Sequence, residues 1–198
     1  MKRTFIVGIL SILFVSASFA QTRIGITAGL NASNVNISGD GNSVSSNYKA
    51  GFQAGLVADF GISENFSIIP ELLFSQRGCK FKGFDGSLTL NYLQLPVNLA
   101  YKFDVGYGSK LFIFAGPYVG YGISGKSKFD GSSEDVKFGS KEDEMKALDF
   151  GINVGVGYEY EKVFFKLQFN PGLINLNNYD TPTTKNTNIA VTAGYFFN

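Results

Sequence analysis

From Ala147 to Tyr160 the chain reads ALDFGINVGVGYEY, and two sets of side chains alternate along it. Leu148, Phe150, Ile152, Val154, Val156, Tyr158 and Tyr160 form the apolar set; Asp149, Gly151, Asn153, Gly155, Gly157 and Glu159 form the small and polar one. A period of two is the signature of a β-strand, because successive side chains leave opposite faces of the pleat. The same rule runs through YKAGFQAGLVADFGI (48–62), LQLPVNLAYKF (93–103) and VFFKLQFNPGL (163–173), and through the outermost segments RIGITAGLN and NIAVTAGYFF. Two stretches are less regular. In 66–77, Glu71, Ser75 and Arg77 share a face with Ile69 and Leu73, and in 111–124 the second face mixes Gly116, Gly120 and Gly122 with Phe112, Phe114 and Tyr118. Small residues beside large aromatics suit a narrow, filled interior. The pattern predicts about eight strands, near 22–33, 47–62, 65–77, 88–104, 110–125, 146–160, 162–175 and 186–197.

Their connections alternate in length. Short ones fall at Ser63-Glu64, Asp104–Ser109 and Glu161-Lys162, and long polar ones at 34–46, 78–87, 126–145 and 177–185. Short turns on one rim and long loops on the other are the layout of outer-membrane barrels.

Which face meets water decides between two barrels. A secreted lipocalin-like barrel has apolar residues inside and charges outside. Here the polar faces carry mainly Gly, Ala, Ser, Thr, Asn and Gln, and the apolar faces run the roughly 9–11 residues that a strand needs to cross a bilayer. Aromatics of the apolar parity gather at the short-turn ends: Phe60, Phe66, Tyr101, Phe103, Tyr158, Tyr160, Phe165, Tyr195 and Phe197. That is the girdle expected where hydrocarbon gives way to headgroups. The expectation is therefore an all-β fold, an eight-stranded antiparallel up-and-down transmembrane β-barrel. Asp149 and Glu159 should face its lumen, and Leu148 and Tyr160 the lipid. Hydrocarbon offers no partner to an unpaired backbone group, so the first strand must pair with the last.

Composition adds the route. Lys2 and Arg3 precede the apolar run FIVGILSILFV, and Ser18-Phe19-Ala20 places small residues where a signal peptidase reads. Residues 1–20 are expected to be a signal peptide and 21–198 the barrel domain. A net charge of +1 recommends no nucleic-acid partner. Cys79 stands alone, which excludes an internal disulfide, and reads as a loop residue.

The segments YKAGFQAGLVADFGISENFSIIPELLFSQRG, LNYLQLPVNLAYKF, LFIFAGPYVGYGISGK, LDFGINVGVGYEY and LQFNPGLINL, in this order, resemble the PorT-type outer-membrane β-barrel family of Bacteroidetes. Together they cover nearly the whole of 21–198. The resemblance implies an eight-stranded barrel, and for some members a part in protein secretion across the outer membrane. It implies no activity that transfers residue by residue. Asn198 after the final Phe departs slightly from the aromatic ending such barrels carry.

There is no His, which removes His-dependent triads and most zinc sites. Asp59, Glu71, Asp149 and Glu159 have lumen parity, as do Arg23, Lys49, Arg77, Lys102 and Lys166. They could carry two-carboxylate chemistry, but the favoured reading is a self-neutralising network, since buried charges need partners. Arg23 and Asp59 should meet near the short-turn rim, and Gln53, Asn98 and Gln168 should lie near Glu71. Asp-Gly pairs in SGDGNS, FDGS and FDGSSED allow a calcium site in principle, yet they are first of all turn chemistry. The expectation is thus no catalytic residue, no metal and no cofactor. Outer-membrane lipid is the expected surrounding, with an envelope or secretion protein as partner. Small-solute transport, lipid modification and a lipocalin-like ligand barrel are the alternatives.

Overall fold

The computed structural model describes residues 22–39, 42–44, 46–83, 85–141, 144–178 and 183–198. The expected signal peptide lies outside the described residues, as do Asp40, Gly41 and Phe84 of the Asp-Gly turns. The strands are β1 (Thr22–Gly39), β2 (Asn42–Val44), β3 (Asn47–Gly61), β4 (Phe66–Lys80), β5 (Gly86–Gly106), β6 (Ser109–Phe129), β7 (Ser132–Val136), β8 (Leu148–Tyr160), β9 (Val163–Pro171) and β10 (Thr183–Phe196). Eight of them form an antiparallel ring in the order β1-β3-β4-β5-β6-β8-β9-β10. The ring closes where β1 pairs with β10, from Gly25 opposite Phe196 to Ser38 opposite Thr183. β2 and β7 are short flanking strands that extend β1 and β6 beyond the ring.

The alternation resolves as expected. Asp149, Asn153 and Glu159 are buried, whereas Leu148, Phe150, Ile152, Val156 and Tyr160 are exposed on the outside. The lipocalin-like reading is thereby reversed: the interior is the polar face. At the short-turn end the outer aromatics touch one another, Phe66 edge-on to Tyr101 at 4.8 Å and Tyr101 to Phe103 at 4.6 Å between ring centres. Asn198 extends the closing seam. Its side chain accepts from Ile24 N (3.0 Å) and donates to the Thr22 carbonyl (2.8 Å), one step past the paired strands.

On the long-loop side the strands run further than the alternation indicates. β1 continues to Gly39, β4 to Lys80, and β6 to Phe129, which turns back into β7. Segment 126–136, expected as loop, is therefore mostly hairpin. Its turn is Asp130-Gly131 with φ of 47° and 82°. Two positive φ values at the centre make the tight turn whose twist matches its flanking strands. Tyr107 (54°) and Gly108 (74°) make the same turn between β5 and β6. Cys79 is a correction too: it is fully buried in β4, not in a loop.

The interior is filled by pairing large with small across neighbouring strands. β6 and β8 set Phe112 opposite Gly157, Phe114 opposite Gly155, Tyr118 opposite Gly151, Gly116 opposite Asn153 and Gly120 opposite Asp149. A Cβ added at Gly157 would lie 2.1 Å from the Phe112 ring. Phe164 uses Gly194 in the same way across β9 and β10. An eight-strand interior has room for one layer of side chains, so each ring needs a missing one beside it.

Candidate functional site

The lumen holds nearly all the chemistry the sequence singled out, and stacks it in tiers. The first tier lies at the short-turn rim. Arg23 at the start of β1 stands opposite Asp59 at the end of β3. Its guanidinium donates two bonds to Glu159 of β8, at 2.6 and 2.9 Å, and a third to Asp59. Lys102 of β5 pairs with Asp59 and lies 3.7 Å from Glu159. The forked donors of Arg match carboxylate oxygens two at a time, which fixes geometry as well as charge.

Immediately inside this latch is an apolar layer: Val57, Ile69, Ala100, Phe112, Phe114, Phe164 and Phe196, all buried. The Arg23 guanidinium lies 4.2 Å over the Phe196 ring, and Phe196 packs on Phe164 at 4.9 Å.

The next tier is centred on Glu71. Lys166 reaches across from β9 to donate to it at 2.6 Å. A series of amides also runs round the wall toward the same carboxylate. Asn188 donates to Asn170 (3.2 Å), Asn170 to Asn153 (2.5 Å), Asn153 to Asn98 (3.0 Å) and Asn98 to Glu71 (3.4 Å). Gly116 lets Asn98 and Asn153 meet, since a Cβ there would lie 2.7 Å from the Asn98 Cα. Asn98 lies beside Glu71 as its parity predicts; the main partner, Lys166, shares the lumen parity, which by itself does not identify this contact. Gln53 and Gln168, the other expected neighbours, make no hydrogen bond to Glu71. The side-chain atoms of Gln53 and Asn31 bond to no protein group among the described residues. Buried amides of this kind are ordinarily satisfied by internal water.

The last tier surrounds Arg77, which is completely buried. It donates to Gln94 at 2.6 Å and lies 3.4 Å from Asp149, with its guanidinium 5.1 Å over the Tyr118 ring. Asp149 also accepts from Tyr118 (3.3 Å) and Asn186 (3.1 Å).

Four cations, Arg23, Lys102, Lys166 and Arg77, thus face four anions, Asp59, Glu159, Glu71 and Asp149. Each of these carboxylates is engaged by a cation through one or both of its oxygens. Lys49 stands opposite buried Ser33, the parity expected of it, but its amine ends away from the four anions, on the Leu88 carbonyl (3.4 Å) and the Thr89 hydroxyl at the outer end of β5. Among the described residues no three His, Cys, Asp or Glu gather as a metal would need. A concavity of about 470 Å³ lies on the outer wall among Phe103, Leu111, Ile113, Val156, Phe165 and Leu167, a lining suited to hydrocarbon.

Comparison with known proteins agrees with this geometry. A family model described as "Outer membrane protein beta-barrel domain" matches residues 19–178. Neisserial surface protein A (NspA) superposes with a TM-score of 0.50 at 13% identity, over 88% of this chain and 97% of its own. OprG from Pseudomonas aeruginosa superposes with a TM-score of 0.53 at 14% identity, over 89% and 94%. At these identities the likeness is one of fold. No curated protein matches the chain in sequence.

Proposed function

The chain belongs to the outer membrane protein β-barrel domain family, and from that membership we propose that it is a non-enzymatic barrel that works by contact with another envelope molecule. On this reading residues 1–20 direct export and 21–198 form the barrel. The contact is made by the outer hairpins or by the periplasmic rim. The resemblance to PorT-type barrels makes the partner a component of secretion or envelope assembly.

The observation that carries the reading is the filled lumen. Its charges cancel in braced tiers and an apolar layer crosses it, which supports contact over solute passage or acid–base chemistry. Lipid modification lacks the His that a Ser–His mechanism needs. Surfaces for contact remain at both ends. Barrels of this kind keep short turns in the periplasm and longer loops outside. Tyr107, at the tip of a short turn, is 99% exposed. Loops and turns on a rigid scaffold are the usual places for binding, and tyrosine is among the residues that anchor interfaces.

Two measurements test it together. Photo-crosslinkers placed at Tyr107 and at Ser132 of the β6–β7 hairpin should trap a defined protein adduct from at least one end. Single-channel recording of the folded protein should show no steady conductance. A stable open level would hand the function to a channel, and the absence of any adduct at both ends would sink the contact reading.

A further inference from the structure

The outer ends of β4 to β7 carry a second set of charges that the lumen does not use. Opposed residues of antiparallel strands point to the same face of the sheet. Lys80 stands opposite Ser87, Ser87 opposite Lys128, and Lys128 opposite Ser133. One row across four strands therefore reads Lys-Ser-Lys-Ser. The next row inward sets Thr89 opposite Lys126 and Lys126 opposite Asp135. A cavity of about 410 Å³ opens along the outer row, lined by Lys80, Ser87, Lys128, Ser132, Ser133 and Asp85.

β5 shows which way this face looks. Ser87, Thr89 and Asn91 have the same parity as Leu93, Leu95, Val97 and Leu99, which are exposed on the outer wall of the barrel. The lysine rows thus continue the lipid-facing surface, within about 20 Å of strand beyond the last leucine at roughly 3.4 Å per residue. Between them lies a polar step, in which Gln76 donates to Asn91 (3.3 Å) and Asn91 to Ser124 (2.9 Å). A polar step of this kind above an apolar wall is expected where hydrocarbon gives way to lipid headgroups.

The lysines there are not engaged as the lumen cations are. Among the described residues no ion pair or side-chain hydrogen bond holds Lys80, Lys126 or Lys128, although Asp85 and Asp135 are close by. Lys49 joins them, its amine on the Thr89 hydroxyl and within the field of Lys80 and Lys128. Four cations against two carboxylates, with three serine hydroxyls between them, make a surface complementary to phosphate, to which lysine binds as a point charge.

We propose that this face binds the phosphate groups of a phosphorylated lipid in the outer leaflet, with Lys80 and Lys128 flanking the phosphate, Ser87 and Ser133 donating to its oxygens, and Lys126 and Lys49 on its membrane side. The lipid's acyl chains then lie along Leu93 and Leu95, below the polar step. The lipid is favoured over free phosphate because the row continues a hydrocarbon-facing wall. The site does not depend on any protein partner, so its failure and the failure of the contact reading are separate results.

The test reconstitutes the folded chain in neutral-lipid nanodiscs containing diphosphorylated lipid A, or the same glycolipid stripped of its phosphates, and reads retained lipid by native mass spectrometry. Wild type should retain the phosphorylated form. The triple variant K80Q/K126Q/K128Q should bind it about a hundredfold more weakly, as three lysines near an anionic surface imply. A charge-matched control, K137Q/K141Q/K146Q, should behave as wild type. Ser87→Asp, one change in the middle of the row, should also release the lipid, and the heat-dependent gel shift checks that each variant is folded. Equal retention of the dephosphorylated glycolipid would overturn the proposal. So would an equal loss in the control, or binding of inorganic phosphate without retention of the lipid.

Discussion

Inside the barrel, every carboxylate of the three tiers touches a cation, and Arg77, Lys166, Glu71 and Asp149 are almost wholly shielded from solvent. On the outer face of β4 to β7, Lys80, Lys126 and Lys128 face outward with no ion pair among the described residues. The two sets sit on the same strands: Arg77 and Lys80 are three residues apart on β4, and Gln94 and Ser87 share β5. Environment separates them. A charge enclosed by a lumen cannot reach bulk water and has to be neutralised where it stands. A charge at a headgroup boundary is solvated and can wait for a ligand. The paired charges answer one another inside the barrel, and the unpaired ones are those on which the lipid proposal rests.

The sharpest way to break this contrast is to remove one lumen partner. Arg77→Ala leaves Asp149 buried with only neutral donors, and removing one partner of a buried pair costs about 3–5 kcal/mol. Urea unfolding of the detergent-solubilised barrel should register a loss of that order. The double variant R77M/D149L should recover most of it, because the orphaned charge is gone. Were R77A as stable as wild type, the tiers would be ornaments of a lumen held together by its strands alone.

A smaller effect is expected where packing, not charge, fills the lumen. Gly157→Val forces a side chain into the Phe112 ring, and overpacking of this kind costs about 1–3 kcal/mol. Phe112→Ala in the same chain should restore stability by moving the bulk from one strand to its neighbour. If the pair is not better than G157V alone, cross-strand volume matching is not what places these glycines.

The two regions were not equally legible. A period of two survives wherever one face meets lipid, so Asp59, Glu71, Arg77, Asp149 and Glu159 could be assigned to the lumen from parity alone. Strands could be drawn through Pro70, Pro96 and Pro117 despite proline's aversion to sheet interiors. The pairings were harder. Lys166 meets Glu71 from 95 residues away, because closure of the ring brings β9 across from β4, and no local pattern records that. Parity gives Lys49 its place opposite Ser33 but not its partners, because its long side chain reaches past β4 to Leu88 and Thr89 of β5. Beyond the bilayer the outer strand ends lose their apolar parity, so β7 and the ends of β4 and β6 read as loop. The row formed by Lys80, Ser87, Lys128 and Ser133 draws on four separate strands and exists only once they are in register. The Asp130-Gly131 turn was the available clue, since Asp-Gly between two short runs marks a tight hairpin.

The smallest expected effect completes the comparison, and it is informative because it is small. Replacing Lys80, Lys126 and Lys128 together by Gln removes three charges, more than R77A does, yet these side chains are solvated and pair with nothing among the described residues. Surface substitutions away from packed features usually shift stability by no more than about 0.5 kcal/mol each, and here relief of like-charge crowding near Lys49 works in the stabilising direction. The urea midpoint of the lipid-free triple variant should therefore match or slightly exceed that of wild type. Adding diphosphorylated lipid A should then raise the wild-type midpoint and leave the variant's in place, because only a ligand that binds the folded state stabilises it. A triple variant that unfolds early without lipid would mean that these lysines hold the outer hairpins together, and the division between structural and recognition charges would not stand.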